Sequence, residues 1–178
     1  MIYLITNFIV AGSKGIGKSF LINKILKCFN IEYSGFKTLP YKINGVIKGH
    51  YFHSLVNVLA VENDLPFTLR HEKNNCIAIR ETFDILGIPY LKESLSNNSK
   101  IVILDEIGTC ETNNLDYLQQ IVNIFDSNKV VLIALKKVDA KHILKLKTRS
   151  DCFVLDLDSI PIKTAIKIIK PKLMEVLK

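Results

Sequence analysis

Phe8-Ile9-Val10-Ala11-Gly12-Ser13-Lys14-Gly15-Ile16-Gly17-Lys18-Ser19 is the stretch from which the rest of the chain is read. The apolar run from Asn7 to Ala11 reads as a strand, and Lys18 to Phe29 sets Leu21, Ile22, Ile25, Leu26 and Phe29 at helical spacing on one face. The residues between them fill the pattern GxxxxGK[ST] at every fixed position, in the strand–loop–helix setting that the pattern requires. The glycines let the backbone curl with its N–H groups pointing inward, and the helix start adds the positive end of its dipole. Such a loop cradles a polyphosphate. Gly12, Ser13, Lys14, Gly15, Ile16, Gly17, Lys18 and Ser19 are therefore the expected nucleotide-binding residues. Lys18 would neutralise the β- and γ-phosphates, and the Ser19 hydroxyl would join the shell of a Mg²⁺ ion that keeps most of its waters.

A second half of this site calls for a carboxylate at the end of a buried strand beside the first. Lys100 precedes Ile101-Val102-Ile103-Leu104, apolar on both pleat faces, and the run ends at Asp105-Glu106. Asp105 is expected to share the Mg²⁺ shell with Ser19. Strand alternation would point Glu106 to the opposite side of the strand end, where it would orient or deprotonate an attacking water.

The remainder alternates strand and helix. Ile31 to Leu39 reads as extended. Tyr41 to Ile43, the turn pair Asn44-Gly45 and Val46-Ile47 read as an antiparallel hairpin. Glu62 to Asn75 is polar and without clear period, a stretch long enough for a lid. Ile79 to Leu95 has a helical pattern strained by Gly87 and Pro89. Asn114 to Phe125 is an amphipathic helix, Val130 to Leu135 a doubly buried strand, Asp139 to Lys147 a short helix and Cys152 to Leu155 a last strand. Ile162 to Leu177 reads as a helix interrupted near Pro171. These units imply an α/β fold with a mostly parallel sheet flanked by helices and an antiparallel hairpin inserted, in one domain spanning residues 1–178.

Composition excludes several classes. With 178 residues, 48% hydrophobic and 23% charged, the chain is an ordinary globular one. Its longest nearly apolar run, Met1 to Gly12, is shorter than the ~20 residues that span a bilayer, and it leads into a glycine-rich loop instead of a cleavage site. Cys28, Cys76, Cys110 and Cys152 stand too far apart for a zinc or redox pair, which suits a cytoplasmic protein. The net charge is +7, and Lys136 to Lys178 holds eleven Lys/Arg against five Asp/Glu. A basic face attracts nucleic acid, but no aromatic residues interleave these lysines as a stacking platform needs. A solvated exterior is the favoured reading, with a monomer as the expected state.

Further segments give the chain a family likeness. Gly35-Phe36 and Thr38 after the first helix, the basic hairpin with Gly45 and Gly49, Asp105-Glu106-Ile107-Gly108 with Glu111, and Phe83, Ile85, Ile88, Pro89 and Leu91 in the preceding helix all resemble the small thermostable nucleoside-triphosphatase family, which includes the animal cancer-related nucleoside triphosphatase, within the P-loop NTPases. The likeness runs from about Phe8 to Leu157. It implies a three-layer P-loop NTPase fold and slow, Mg²⁺-dependent hydrolysis of a broad range of nucleoside triphosphates. Departures are Ser13-Lys14-Gly15 for the usual Pro-Pro-Gly, Ser19-Phe20 for Thr-Thr, and Cys110 for Met. The Ser19 exchange keeps the hydroxyl. Lys14 stands one position too late for the signature lysine of the deviant, dimer-forming loop.

The expected chemistry is cleavage of the β–γ bond of ATP, GTP and other triphosphates, with Lys18 as clamp and Glu106 as base. A cation on the γ-phosphate remains to be chosen from Arg70, Arg80, Arg149, Lys136 and Lys137, and Lys136 at a strand end is preferred. The alternatives are a nucleotide or nucleoside kinase, for which three arginines are few, and a nucleotide-gated module that binds nucleic acid or a partner.

Overall fold

Strands β1 (Asn7–Gly12), β6 (Ile101–Ile107) and β7 (Val130–Lys136) show why this chain folds in layers. Along them Ile9, Val102, Leu104, Val131 and Ile133 pack on one face of the sheet, while Phe8, Val10, Ile101, Ile103 and Leu132 pack on the other. A strand without a polar face must be covered on both sides, and each side chain so buried contributes about 1.5–3 kcal/mol. The computed structural model describes residues 5–56, 65–70 and 76–178.

Among the described residues the sheet has eight strands in the order β5-β4-β3-β2-β6-β7-β1-β8. Here β2 is Tyr33–Ile43, β3 Val46–Ser54, β4 Pro66–Arg70, β5 Cys76–Ala78 and β8 Cys152–Asp156. The half β2-β6-β7-β1-β8 is parallel throughout. Helices α1 (Lys18–Leu26) and α6 (Ile162–Val176) cover one face. On the other lie α3 (Ile88–Ser96), α4 (Leu115–Phe125) and α5 (Lys141–Lys147), with the short turn α2 (Arg80–Thr82) before them.

The hairpin forms where expected. Asn44 and Gly45 both have positive φ, 50° and 78°, the conformation a two-residue turn of this twist requires. It is not an isolated insertion, however: β4 and β5 continue it as a four-stranded antiparallel half of the same sheet. Rings of Phe36, Phe52, Phe67, Phe83 and Tyr117 lock this half onto α4, with Phe52 and Phe67 stacked at 4.2 Å and Phe83 edge-on to Tyr117 at 5.0 Å. Of the polar stretch 62–75, residues 62–64 and 71–75 lie outside the described residues, and Pro66–Arg70 is strand β4.

One helical expectation is met, strain included, and one is corrected. Between α2 and α3, Phe83–Gly87 is π-helical, and the Ile88 N–H reaches back to the Phe83 carbonyl. Pro89 has no N–H to donate, so the wider turn accommodates the break in the ladder. Around Pro171, in contrast, α6 is not interrupted. Pro171 and Lys167 lie on its exposed face, where the carbonyl that Pro171 leaves unpaired meets water, while Ala165, Ile169 and Leu173 anchor the opposite face.

Candidate active site at the carboxyl edge of the sheet

The carboxyl ends of the parallel strands gather the site, as they do in open α/β sheets generally. β1 ends at Gly12, and the chain turns through Ser13–Ile16 to Gly17, which caps α1 in the left-handed region at φ 104°. A side chain there would also meet Ile162 Cδ1 at 2.7 Å, so only glycine suits the turn. Lys18 opens the helix, and its side chain folds back over the loop. Its Nζ donates to the Gly12 carbonyl at 2.9 Å and the Ser13 carbonyl at 3.0 Å, and pairs with Glu106 Oε2 at 3.2 Å.

The sequence reading puts the carboxylate strand beside β1; instead β7 lies between β1 and β6. The loop and the start of α1 cross the end of β7, and the Ser19 hydroxyl donates to Asp105 Oδ1 at 2.9 Å. Asp105 is 4% exposed, and burial lifts its pKa from 3.8 to about 6 despite that hydrogen bond.

Glu106 also departs from simple alternation. It does not turn away from Asp105's partners: one oxygen meets Lys18, and the other meets Lys136 Nζ at 3.5 Å. β6 continues past this pair to Ile107, with a register irregularity against β7 between Asp105 and Ile107, and Thr38 Oγ1 accepts the Glu106 N–H at 3.1 Å. The irregularity re-aims the carboxylate, and Thr38 fixes its backbone.

Of the remaining cations, Lys137 points outward to Asp156 at 3.3 Å and Asp158 at 3.0 Å. Arg80 pairs loosely with Asp84, and Arg149 is held by Asp126 and Asp151 near the amino end of β8. Lys14 is exposed on the loop. Lys14, Arg70 and Lys136 all act on His50, whose pKa is lowered first by burial and then by these charges; its Nδ1 lies 3.2 Å from Thr68 Oγ1.

Residues that the motifs do not include complete the picture. The Asp158 carboxylate accepts the Ser13 N–H at 3.2 Å and the Ser13 hydroxyl at 3.0 Å, tying the loop entrance to the end of β8. Its signal in the sequence was slight: an aspartate just past the last strand, at the edge where the parallel strands end. His50 stands in the hairpin, where an exposed surface histidine is the ordinary reading.

Fold and loop together define a P-loop α/β protein, in which Lys18, Ser19, Asp105 and Glu106 meet at one glycine-rich loop. Residues 7–164 match the model of the NTPase family, and the chain belongs to that family. Among similar proteins are the nucleoside-triphosphatases THEP1 of Thermotoga petrophila, 29% identical over 84% of this chain and 83% of that protein, and of Korarchaeum cryptofilum, 24% identical over 84% and 78%. Similar solved structures are a human cancer-related nucleoside triphosphatase (TM-score 0.71, 17% identity, covering 95% and 97% of the two chains) and THEP1 from Aquifex aeolicus (TM-score 0.66, 20% identity, covering 92% and 99%). These two confirm the three-layer fold read from the sequence.

Proposed function

We propose that this chain hydrolyses nucleoside 5'-triphosphates, ATP and GTP among them, to the diphosphate and phosphate with Mg²⁺. The observation that carries the reading is Glu106 held between the Lys18 and Lys136 ammoniums at the rim of the phosphate loop. A terminal phosphate seated on the loop amides lies within reach of both cations, and a water beside it lies within reach of the carboxylate. Lys18 exchanges its loop carbonyls for β- and γ-oxygens, Lys136 meets the charge that develops on the departing phosphoryl group, and Glu106 takes the proton of water.

The donor set fits magnesium. Ser19 and Asp105 offer a hydroxyl and a carboxylate already in contact, hard oxygen ligands of the type Mg²⁺ takes alongside substrate phosphates. Ser19 and Asp105 would hold the ion, which when bound neutralises phosphate charge. Among the described residues no group of three or more His, Cys, Asp or Glu forms a protein-only cage.

Two rivals are less well supported. A kinase of the adenylate type surrounds its phosphates with arginines, whereas Arg80 and Arg149 are engaged with Asp84, Asp126 and Asp151 away from the loop. A nucleic-acid module rests on the basic C-terminal third alone. Among the described residues no helix is long and apolar enough to cross a membrane, and all four cysteines are free. A monomer in a reducing cytoplasm suits these features.

Phosphate release from ATP, GTP, CTP and UTP, with Mg²⁺ or EDTA and no acceptor, tests the reading. Steady Mg²⁺-dependent release from several nucleotides is expected. Conversion of triphosphate to diphosphate only when a nucleoside or monophosphate is added, with the phosphoryl group recovered on that acceptor and no free phosphate, would favour the kinase. Phosphate release only with nucleic acid would favour the module, and no triphosphate consumption under any condition would refute all three.

A further inference from the structure

Glu111 is 1% exposed and takes no part in the chemistry above. Desolvation pushes its carboxyl pKa up, and an apolar side chain would fill the same space without that cost. What the carboxylate supplies is a hydrogen bond: its Oε2 accepts the Gly108 N–H at 2.9 Å. The Gly108 carbonyl is held as well, accepting from His142 Nε2 at 2.7 Å. Gly108, held through the peptide groups on both sides of it, follows directly after β6, whose last residue Ile107 pairs with Leu135, so Gly108 lies beside Lys136. The bare face of Gly108 supports the Lys136 stem: a Cβ there would stand 2.5 Å from Lys136 Cδ and 3.3 Å from its Cε.

We propose that Glu111 is a positioning residue: with His142 it fixes Gly108 as a shelf over which Lys136 extends, and so sets how far the ammonium reaches toward Glu106 and the terminal phosphate. The inference rests on the reading of Lys136 as the γ-phosphate cation. Lys136 is a long side chain with many rotamers, and with 37% of the side chain exposed it is otherwise free to turn its ammonium to water. A flat, rigid glycine surface removes those alternatives before substrate arrives. A displacement of about 1 Å at such a group costs roughly 10²-fold in rate.

Steady-state phosphate release by the full chain, with E111A, E111Q, G108A and K136M alone and E111A and G108A each combined with K136M, tests it. K136M should lower kcat by about 10²–10³-fold. E111A and G108A should each lower kcat by roughly 10- to 10²-fold with KM little changed, and E111Q, whose amide oxygen still accepts the Gly108 N–H, should restore most of the turnover. In the K136M background E111A and G108A should have almost no further effect. G108A leaves the buried carboxylate in place and so carries the test if E111A fails to fold. If K136M lowers kcat but the losses from E111A and G108A persist in its background, the positioning role is overturned while the Lys136 reading stands. If K136M turns over normally, the Lys136 reading fails and the inference with it.

Discussion

Asp105→Asn should abolish turnover and make the metal-free protein more stable. Burial lifts the Asp105 pKa from 3.8 to about 6. Because the folded value lies above the unfolded one, the folded protein keeps the extra proton between those limits. Stability tied to that proton is complete below the unfolded value and is lost as pH rises through the folded one. At 1.36 kcal/mol per pH unit, keeping Asp105 ionised in the fold costs about 3 kcal/mol at neutral pH. Asparagine is the uncharged counterpart, and its Oδ1 still accepts the Ser19 hydroxyl that now lies 2.9 Å from Asp105. Urea unfolding of both proteins in EDTA, from pH 8 down to pH 4, reads the difference directly. The variant should gain about 3 kcal/mol at pH 7.5, or roughly 6–12 °C in Tm for a chain of this size, and the gain should shrink below pH 6 and nearly vanish by pH 4. A variant less stable than its parent at pH 7.5, or a gain that does not change with pH, would refute the burial argument.

Glu106→Gln should retain nucleotide binding while kcat falls roughly 10²–10⁴-fold, the usual share of general base catalysis; fluorescent-nucleotide titration beside phosphate release separates the two. Lys18→Ala should weaken nucleotide affinity and turnover together, and unchanged affinity would count against the clamp. Gly35→Ala should destabilise by about 3 kcal/mol in urea melts, because φ there is +103° and a Cβ would stand 1.9 Å from the Ile103 carbonyl oxygen, backbone against backbone. Gly45→Ala, also at positive φ but with nothing within 4 Å of its Cβ position, should cost only about 1–2 kcal/mol.

The parallel half of the fold was readable because its strands are apolar on both faces, a pattern that leaves little choice of surroundings. The antiparallel half was not: β4 and β5 have five and three residues, and β5 is exposed along its length, so neither carries the alternation that marks a half-buried strand. Their place comes from Phe67, which stacks on Phe52 across the sheet, a contact no local window contains. The phosphate loop was legible because its backbone conformation restricts which residues fit. Strand order was hidden, since nothing in β1, β6 or β7 taken singly says that β7 lies in the middle. The aim of Glu106 was hidden for a related reason: alternation is a property of regular strands, and the irregularity at Asp105–Ile107 belongs to the β6–β7 pair. Asp158 and His142 act on backbone groups distant in the chain, where residue type alone gives no sign, whereas Glu111 stood in the family-like segment after Gly108 with no role attached to it.

Asp105 and Glu106 are neighbours in the chain with opposite surroundings, and this difference divides their labour. Asp105 is buried with a hydroxyl for its partner, so its charge lacks a full counterion, which a cation arriving with the nucleotide would supply. Glu106 is already paired with two ammoniums, which suits a resting site but occupies the oxygens that a water would have to meet. On the proposed function a triphosphate would reverse both conditions at once. Its oxygens would draw Lys18 and Lys136 toward themselves and leave the Glu106 oxygens to a water, and Ser19 and Asp105 would hold the accompanying cation. On this reading the base is freed by the substrate it acts upon. On that proposal a γ-phosphate would be needed to compete for both lysines, so a diphosphate on the same loop should leave Lys136 with Glu106 and the carboxylate still paired.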